Sequence, residues 1–357
     1  MTAKMRLGVI FGGRSVEHEV SVVSAMSVLR EADPERFEAV PFGVSLAGRW
    51  LLPGESQMQL NRRLAPYQNR IEIDVPPLAE RPEVLAELHA CDALFPIVHG
   101  VNGEDGTLQG MLEMFGLPYA GCAVAASALG MDKSLQKAVL AQAGITVAQH
   151  HELRVHEWHG DAAALSTAIE RTVGYPAFVK PANGGSSVGV SKVRSREDLD
   201  DAMRSAFAVD AKVLIEETIA GRELECGVIG GEDAEASPVG EVMPAGEFYD
   251  YRAKYLEDTA RLVAPAEVDA SAGDEIRKTA LRAFKAIDGG HGFARVDFFL
   301  QPSGRLVLNE INTIPGFTPI SMFPRLWQLA GLTYRELITR LVDLGVKRFR
   351  GREAHGA

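Results

Sequence analysis

Two β-rich runs, Ala294-Arg295-Val296-Asp297-Phe298-Phe299-Leu300 and Arg305-Leu306-Val307-Leu308-Asn309-Glu310-Ile311-Asn312, flank the turn sequence Gln301-Pro302-Ser303-Gly304. Pro and Gly at such positions favour chain reversal, so the runs are expected to pair as a hairpin. With Ser303-Gly304 as a two-residue loop, Asp297 falls opposite Glu310 and Arg295 opposite Asn312. All four then share one face, because strand side chains alternate. Acids paired in this way, with Cβ atoms about 5 Å apart, repel each other unless a cation lies between them. Oxygen donors alone, here Asp, Glu and an Asn amide without His or Cys, suit magnesium, which completes its shell with water and substrate phosphates. The competing reading is a solvated face with scattered charge. Against it, the other face (Val296, Phe298, Leu300, Leu306, Leu308) is apolar, and Ala294, Phe299 and Ile311 leave little of the polar side freely solvated.

Upstream, Met5 to Phe11 reads as a strand ending at Gly12-Gly13, followed by helical spacing of Val16, Val20, Val23 and Leu29. Strands at Glu38 to Val44 and Ala93 to Val98 alternate with helical stretches, the pattern of a parallel sheet covered by helices. Residues 1–125 are therefore expected to form an α/β domain. Leu52 to Arg81, rich in Pro, Gln and Asn, is assigned to loops and a weak hairpin. A helix from Asp132 to Ala143 stops at Gly144, and the texture then changes to antiparallel α+β. Strands are expected at Ala177 to Lys180, Val188 to Val193, Val213 to Glu217, Glu223 to Gly230 and Ser237 to Val242, with a helix at Arg196 to Ala208. Beyond them come helices at Ala270 to Ile287 and Tyr334 to Leu344, flanking the acidic hairpin.

A chain of 357 residues is long enough for two or three packed domains. Its net charge of −11 and the absence of an uncompensated Lys/Arg run argue against nucleic-acid binding. The first apolar stretch is too short for a signal-peptide core, and nowhere do about eighteen apolar residues run together, so the expectation is a cytoplasmic protein without a membrane span. Cys91, Cys122 and Cys226 are scattered and form no CxxC, which points to reduced packing residues rather than disulfides or zinc ligands.

Phe178-Val179-Lys180-Pro181 opens the small-residue loop Ala182 to Val190. Such a loop can turn several backbone N–H groups toward one phosphate, with Lys180 adding charge, although the same residues also suit a plain hairpin loop. A Walker A motif is absent. Lys133, at the start of its helix, is a second phosphate candidate. Val213 to Ile219 carries Glu216 and Glu217 at a strand end suited to an adenine edge, and Glu223 lies within reach of a ribose; an acidic strand end without function explains them equally well.

Taken together, GGRSVEHEVS, HGVNGEDGTLQGMLE, MDK, VKPANGGSSVGVSKV, EETIAGRELECGV, YDYRAKY, ARVDFFL and LNEINTIPGFTPISMFP resemble the D-alanine:D-alanine ligase family, in family order, from about residue 6 to 345. The resemblance implies an ATP-grasp fold with an N-terminal Rossmann-like (pre-ATP-grasp) domain at 1–125, a central subdomain at 126–220 and a C-terminal subdomain at 221–357. It implies ligation of two D-alanines through an acyl phosphate for peptidoglycan precursor synthesis, with ATP as co-substrate and two magnesium ions, or manganese, as cofactor. Lys133, Lys180 and Lys254 match nucleotide contacts, and Glu216, Glu217, Ile219 and Glu223 fall at adenine and ribose positions. Asp297, Glu310 and Asn312 match the metal ligands. Glu17 matches the residue that binds the first ammonium, and Ser186 and Tyr255 link it to a closing loop at Gly246 to Asp258. Arg295 and the Gly316 amide match groups at the transferred phosphate and tetrahedral centre. His99, Ser321 and Met322 match the second substrate site. A homodimer is the family expectation.

Three rivals compete with this reading. A same-fold ligase for D-lactate or D-serine is the nearest, and Tyr255 speaks against the lactate branch. A dinucleotide oxidoreductase fails because GGRSVE does not supply GxGxxG. A non-catalytic sensor of ATP-grasp descent predicts a broken acidic triad, whereas Asp297, Glu310 and Asn312 are all present.

Overall fold

The computed structural model describes residues 3–62, 67–243 and 261–354. The first apolar run forms β1 (Met5–Gly12), and the positive φ of Gly12 and Gly13 turns the chain into α1 (His18–Glu31). β2 (Phe37–Val44) lies parallel to β1 on one side. After α2 (Pro53–Leu60) and α3 (Pro82–His89), β3 (Ala93–Pro96) lies parallel on the other, giving the order β2-β1-β3. The segment Leu52 to Arg81 differs from expectation: it contains α2 and a 3-10 turn at Leu78–Glu80, and no hairpin forms among its described residues. Pro53 at the first helical position and Glu55, whose carboxylate accepts the Leu52 N–H at 2.8 Å, start a helix that the polar composition conceals.

Three short helices follow, α4 (Thr107–Met114), α5 (Val124–Met131) and α6 (Lys133–Gln142). Asp132 caps α6 by accepting the Ser134 and Leu135 N–H groups, both at 3.1 Å, and pairs with Lys212 through its other oxygen. A second sheet, wholly antiparallel, has the order β4-β7-β5-β6. It comprises β4 (His150–Arg154), α7 (Val155–Gly160), α8 (Ala162–Thr172), β5 (Ala177–Pro181), β6 (Ser191–Val193), α9 (Leu199–Phe207) and β7 (Lys212–Glu217). β4, α7 and α8 were not expected, since His150–Arg154 is polar and short, and its pairing to β7 is a tertiary effect.

The third sheet has the order β10-β9-β8-β11-β12 and is also antiparallel. It contains β8 (Arg222–Ile229), β9 (Glu235–Met243), β10 (Arg261–Val263), α10 (Ala270–Ala286), β11 (Phe293–Leu300) and β12 (Leu306–Asn312), followed by α11 (Met322–Leu329) and α12 (Tyr334–Ala354). Its core joins α10 to the apolar hairpin face: Val296, Phe298 and Leu308 are buried with Ile276, Ala280 and Phe284. A separate core binds this unit to the first sheet. Phe95 of β3 meets Phe317 edge-on at 5.5 Å, and Phe317 meets Phe323 at 5.6 Å, beneath Leu337, Ile338 and Leu341 of α12. No described helix is long and apolar enough to cross a membrane. The three cysteines are free and buried, and burial pushes Cys91 up to about 11 and Cys122 and Cys226 up to about 12.

The hairpin register has a specific origin. Arg295 pairs with Asn312 and Asp297 with Glu310, as expected, but Phe298 pairs with Leu308 and Leu300 with Leu306. The loop is one residue longer than Ser303-Gly304, with Gly304 at φ +83° and donating its N–H to Gln301 O at 2.9 Å. Asn309 forms a bulge between Leu308 and Glu310. The extra turn residue and the bulge offset each other, so the acids end opposite one another.

Candidate active site

A cleft of about 530 Å³ separates the second and third sheets and reaches the first. Its lining includes Glu17, His99, Lys133, Lys180, Ser186, Glu216, Glu217, Ile219, Glu223, Arg295, Asp297, Glu310, Asn312, Gly316, Ser321 and Met322, so every described residue singled out from the sequence comes to one place. Lys254, Tyr255 and the rest of the expected closing loop lie outside the described residues.

The floor is the hairpin face. Asp297 is held from both sides: Arg295 donates Nε to Oδ1 and Nη2 to Oδ2, each at 2.7 Å, and Asn312 Nδ2 donates to Oδ2 at 3.0 Å. Glu225 of β8 stands opposite Asp297 on the other side of β11, its carboxylate 3.3 Å from Arg295 Nε. Burial works against the Arg295 charge, but Asp297 and then Glu225 overcome it and raise its pKa well above the ordinary value. Glu225, Asp297 and Glu310 thus form a row of acids across three strands. Glu310 lies 3.5 Å from Lys133 Nζ. Among the described residues, no three Asp, Glu, His or Cys side chains converge as a metal cage. The third donor is an amide, and Asp297 is turned onto Arg295. The hard oxygen donors and the opposed acids nonetheless fit a divalent cation such as magnesium.

The lysines come from two elements. Lys133 donates Nζ to Gly184 O at 2.6 Å, touching the glycine loop, while Lys180 pairs with Glu216 at 2.6 Å. Lys137, fully buried, lies 3.3 Å from the other Glu216 oxygen. Burial opposes ionisation of Glu216, but Lys137 and Lys180 outweigh it and hold the carboxyl below its usual range. Burial, the largest influence, lowers the Lys137 pKa against the pull of Glu216, and the nearby Lys180 charge lowers it further. Despite its neighbours, Glu216 Oε1 is buried without a completed hydrogen bond. Glu217 points elsewhere, accepting the Gln149 N–H at 2.9 Å and facing Arg305 at 3.6 Å.

At the far end Glu17 is buried beneath the glycine loop and accepts the Ser186 hydroxyl. Ser186 and Ser187 take positive φ (48° and 59°), a conformation L residues rarely adopt, to bring the loop down. Gly185 lies so close that a Cβ would overlap the Glu17 carboxylate. Glu104 lines the same end; burial and then the Glu17 charge push it up to about 8, although it accepts the Gly100 N–H at 2.5 Å. His99 is buried at 4% exposure, with Nδ1 3.0 Å from Ile314 O and Nε2 3.3 Å from Ser24 Oγ. A carbonyl only accepts, so Nδ1 carries the proton and Ser24 donates to Nε2. Burial, the largest influence, lowers the His99 pKa and keeps this neutral form. Gly316 packs against Ser321, whose hydroxyl would lie 2.8 Å from a Cβ there and accepts the Thr318 N–H at 3.1 Å.

Sequence reasoning missed Lys137, Glu225, Glu104 and Ser24. Lys137 was legible, since it follows Lys133 by one helical turn and so shares its face. Glu225 needed the β8–β11 pairing, and Glu104 and Ser24 needed the packing of the first sheet on the third.

An antiparallel sheet with a glycine loop, closing over a second antiparallel sheet with an acidic hairpin and two lysines between them, defines an ATP-grasp ligase. Family models described as D-ala D-ala ligase N-terminus and D-ala D-ala ligase C-terminus match residues 6–122 and 139–343. The chain belongs to the D-alanine–D-alanine ligase family. It is 46% identical to the D-alanine--D-alanine ligase of Halothermothrix orenii, across 97% of this chain and 99% of that protein. With D-alanine--D-alanine ligase A of Chromobacterium violaceum it shares 46% identity across 98% of both. Among solved structures it resembles the D-alanine-D-alanine ligase from Coxiella burnetii (31% identity, TM-score 0.80, 98% of this chain and 96% of that one). It also resembles the VanG D-Ala:D-Ser ligase from Enterococcus faecalis (34% identity, TM-score 0.80, 96% of this chain and all of that one).

Proposed function

We propose that this chain joins two D-alanines at the expense of ATP, releasing D-alanyl-D-alanine, ADP and phosphate, in the cytoplasm and as a step toward cell-wall precursors. The observation that carries the reading is the opposition of Asp297 and Glu310 in a cleft that also gathers Lys133, Lys180, Arg295 and Glu17. The three sheets support a division into 1–125, 126–220 and 221–357, with the nucleotide between the last two.

The first D-alanine carboxylate attacks the γ-phosphorus of ATP, breaking its bond to the β-phosphate oxygen and forming an acyl phosphate and ADP. The second D-alanine amine then attacks the acyl carbon, phosphate leaves, and the amine loses a proton. Such chemistry needs positioning and charge rather than a covalent nucleophile. Lys133 and Lys180 face the phosphates, and Arg295 faces the transferred group. Glu216, beside Ile219, suits the adenine amino group, and Glu223 suits the ribose. Glu17 with Ser186 receives the first ammonium; the Gly316 amide, Ser321, Met322 and His99 frame the acyl centre and the second substrate. Lys254 and Tyr255, outside the described residues, are assigned to nucleotide and first-substrate contacts by the family resemblance alone. Asp297, Glu310 and Asn312 would hold two magnesium ions, or manganese, which supply charge neutralisation at the phosphates.

The test is phosphate release from ATP and magnesium with D-alanine, compared with L-alanine and with D-alanine plus D-serine or D-lactate. Release that requires D-alanine, with D-alanyl-D-alanine as the main product, supports the reading. Release indifferent to D-alanine removes it, and a mixed dipeptide or depsipeptide as the main product favours the D-serine or D-lactate reading. Sedimentation tests the expected homodimer.

A further inference from the structure

β12 is the edge strand of its sheet, and β11 satisfies only one side of it. An edge leaves N–H and C=O groups that need other partners. Here α6 and the segment after it supply them. Gln136, fully buried, accepts the Ile311 N–H at 3.1 Å through Oε1 and donates Nε2 to Ile311 O at 3.2 Å, so its amide pairs with one residue as a neighbouring strand would. Nε2 also donates to Gly130 O at 2.7 Å. Next to it, Lys137 donates to the carbonyl of the bulged Asn309 at 3.3 Å, and Thr146 O accepts the Leu308 N–H at 2.9 Å.

Ile311 lies between Glu310 and Asn312, whose side chains face the cleft, while Gln136 lies one turn from Lys133 on the same helix. Gln136, with Lys137 beside it, therefore locks the helix carrying Lys133 to the strand carrying two of the expected metal ligands, and Gln136 alone holds both backbone groups of Ile311. We infer that Gln136 is a positioning residue for the metal site: by clamping the Ile311 backbone it fixes where Glu310 and Asn312 point relative to Lys133. The inference rests on the metal reading proposed above. Residues that orient ligands without touching the ion typically set metal affinity by roughly 10- to 100-fold.

The test is manganese binding, read as loss of free-ion electron paramagnetic resonance signal in the presence of ADP, for the unsubstituted protein and for Gln136→Met, Gln136→Asn and Val193→Ala. Val193 is buried in the second sheet and serves as a control for general destabilisation. Manganese affinity is expected to fall about tenfold in both Gln136 variants and to stay within about twofold in Val193→Ala at matched thermal stability. Folded Gln136 variants that bind manganese as the unsubstituted protein does would overturn the inference. Failure of the unsubstituted protein to bind manganese would instead remove the metal reading. Should neither variant fold, hydrogen exchange in the unsubstituted protein decides: an Ile311 amide as protected as those of β11 supports the clamp, and rapid exchange contradicts it.

Discussion

Arg295 grips both carboxylate oxygens of Asp297, its neighbour two residues along β11, at 2.7 Å each. The pair is largely buried, with Glu225 close by, so this guanidinium carries the local charge balance of the cleft floor. Removing one member of a buried pair leaves an uncompensated charge, typically costing about 3–5 kcal/mol. Arg295→Met is therefore expected to lose that order of stability and nearly all turnover. Magnesium should restore part of the melting temperature by taking over the acids; a variant as stable as the unsubstituted protein without magnesium would contradict this.

Glu310→Gln separates function from folding. Neutralising Glu310 without metal removes its repulsion with Asp297 but also its pairing with Lys133 at 3.5 Å, so the two effects offset and the melting temperature should change little. Turnover is expected to fall by at least about 100-fold, the scale expected when a group stabilising transferred charge is lost. Phosphate release and thermal unfolding of the same sample check both halves.

Gly185→Ala strikes the opposite end. The added methyl meets the end of the flexible Glu17 side chain rather than backbone, so Glu17 can rotate away at little cost to folding. The expected result is a D-alanine KM raised by about tenfold or more, the loss of roughly one charge-assisted hydrogen bond, with the melting temperature nearly unchanged. An unaltered KM would contradict the role given to Glu17.

Glu104 supplies the pH dependence. Its folded pKa of about 8 exceeds the ordinary 4.5. A raised carboxyl contributes stability that is full below the unfolded value and is lost as pH rises through the folded value. Stability should decline between about pH 4.5 and pH 8, and Glu104→Gln should flatten that decline. Melting temperatures of the two proteins across this range provide the check.

How much of this was legible in sequence varied with locality. The Asp297–Glu310 opposition emerged from alternation and a turn, although the turn was assigned one residue too few. The Asn309 bulge corrected the count, and a bulge held by Lys137 from another element leaves no mark in its own strand. The helix at Pro53–Leu60 was hidden by its polar composition, and β4 by its dependence on β7. Glu216 and Glu217 could not be told apart along one strand end; they diverge because Lys137 and Lys180 enclose the first while Gln149 and Arg305 draw off the second. Gln136 gave no signal, since a glutamine on a helix reads as solvent-facing until the edge it covers is known.

The most direct measurement is a crystal structure with ADP and manganese, read by the anomalous signal of the ion. The account predicts density bridging Asp297, Glu310 and the phosphates, with Asn312 in the shell and Asp297 released from Arg295. Nucleotide bound with no ion at these residues, or with Asp297 still gripped by Arg295 and manganese elsewhere, would contradict it.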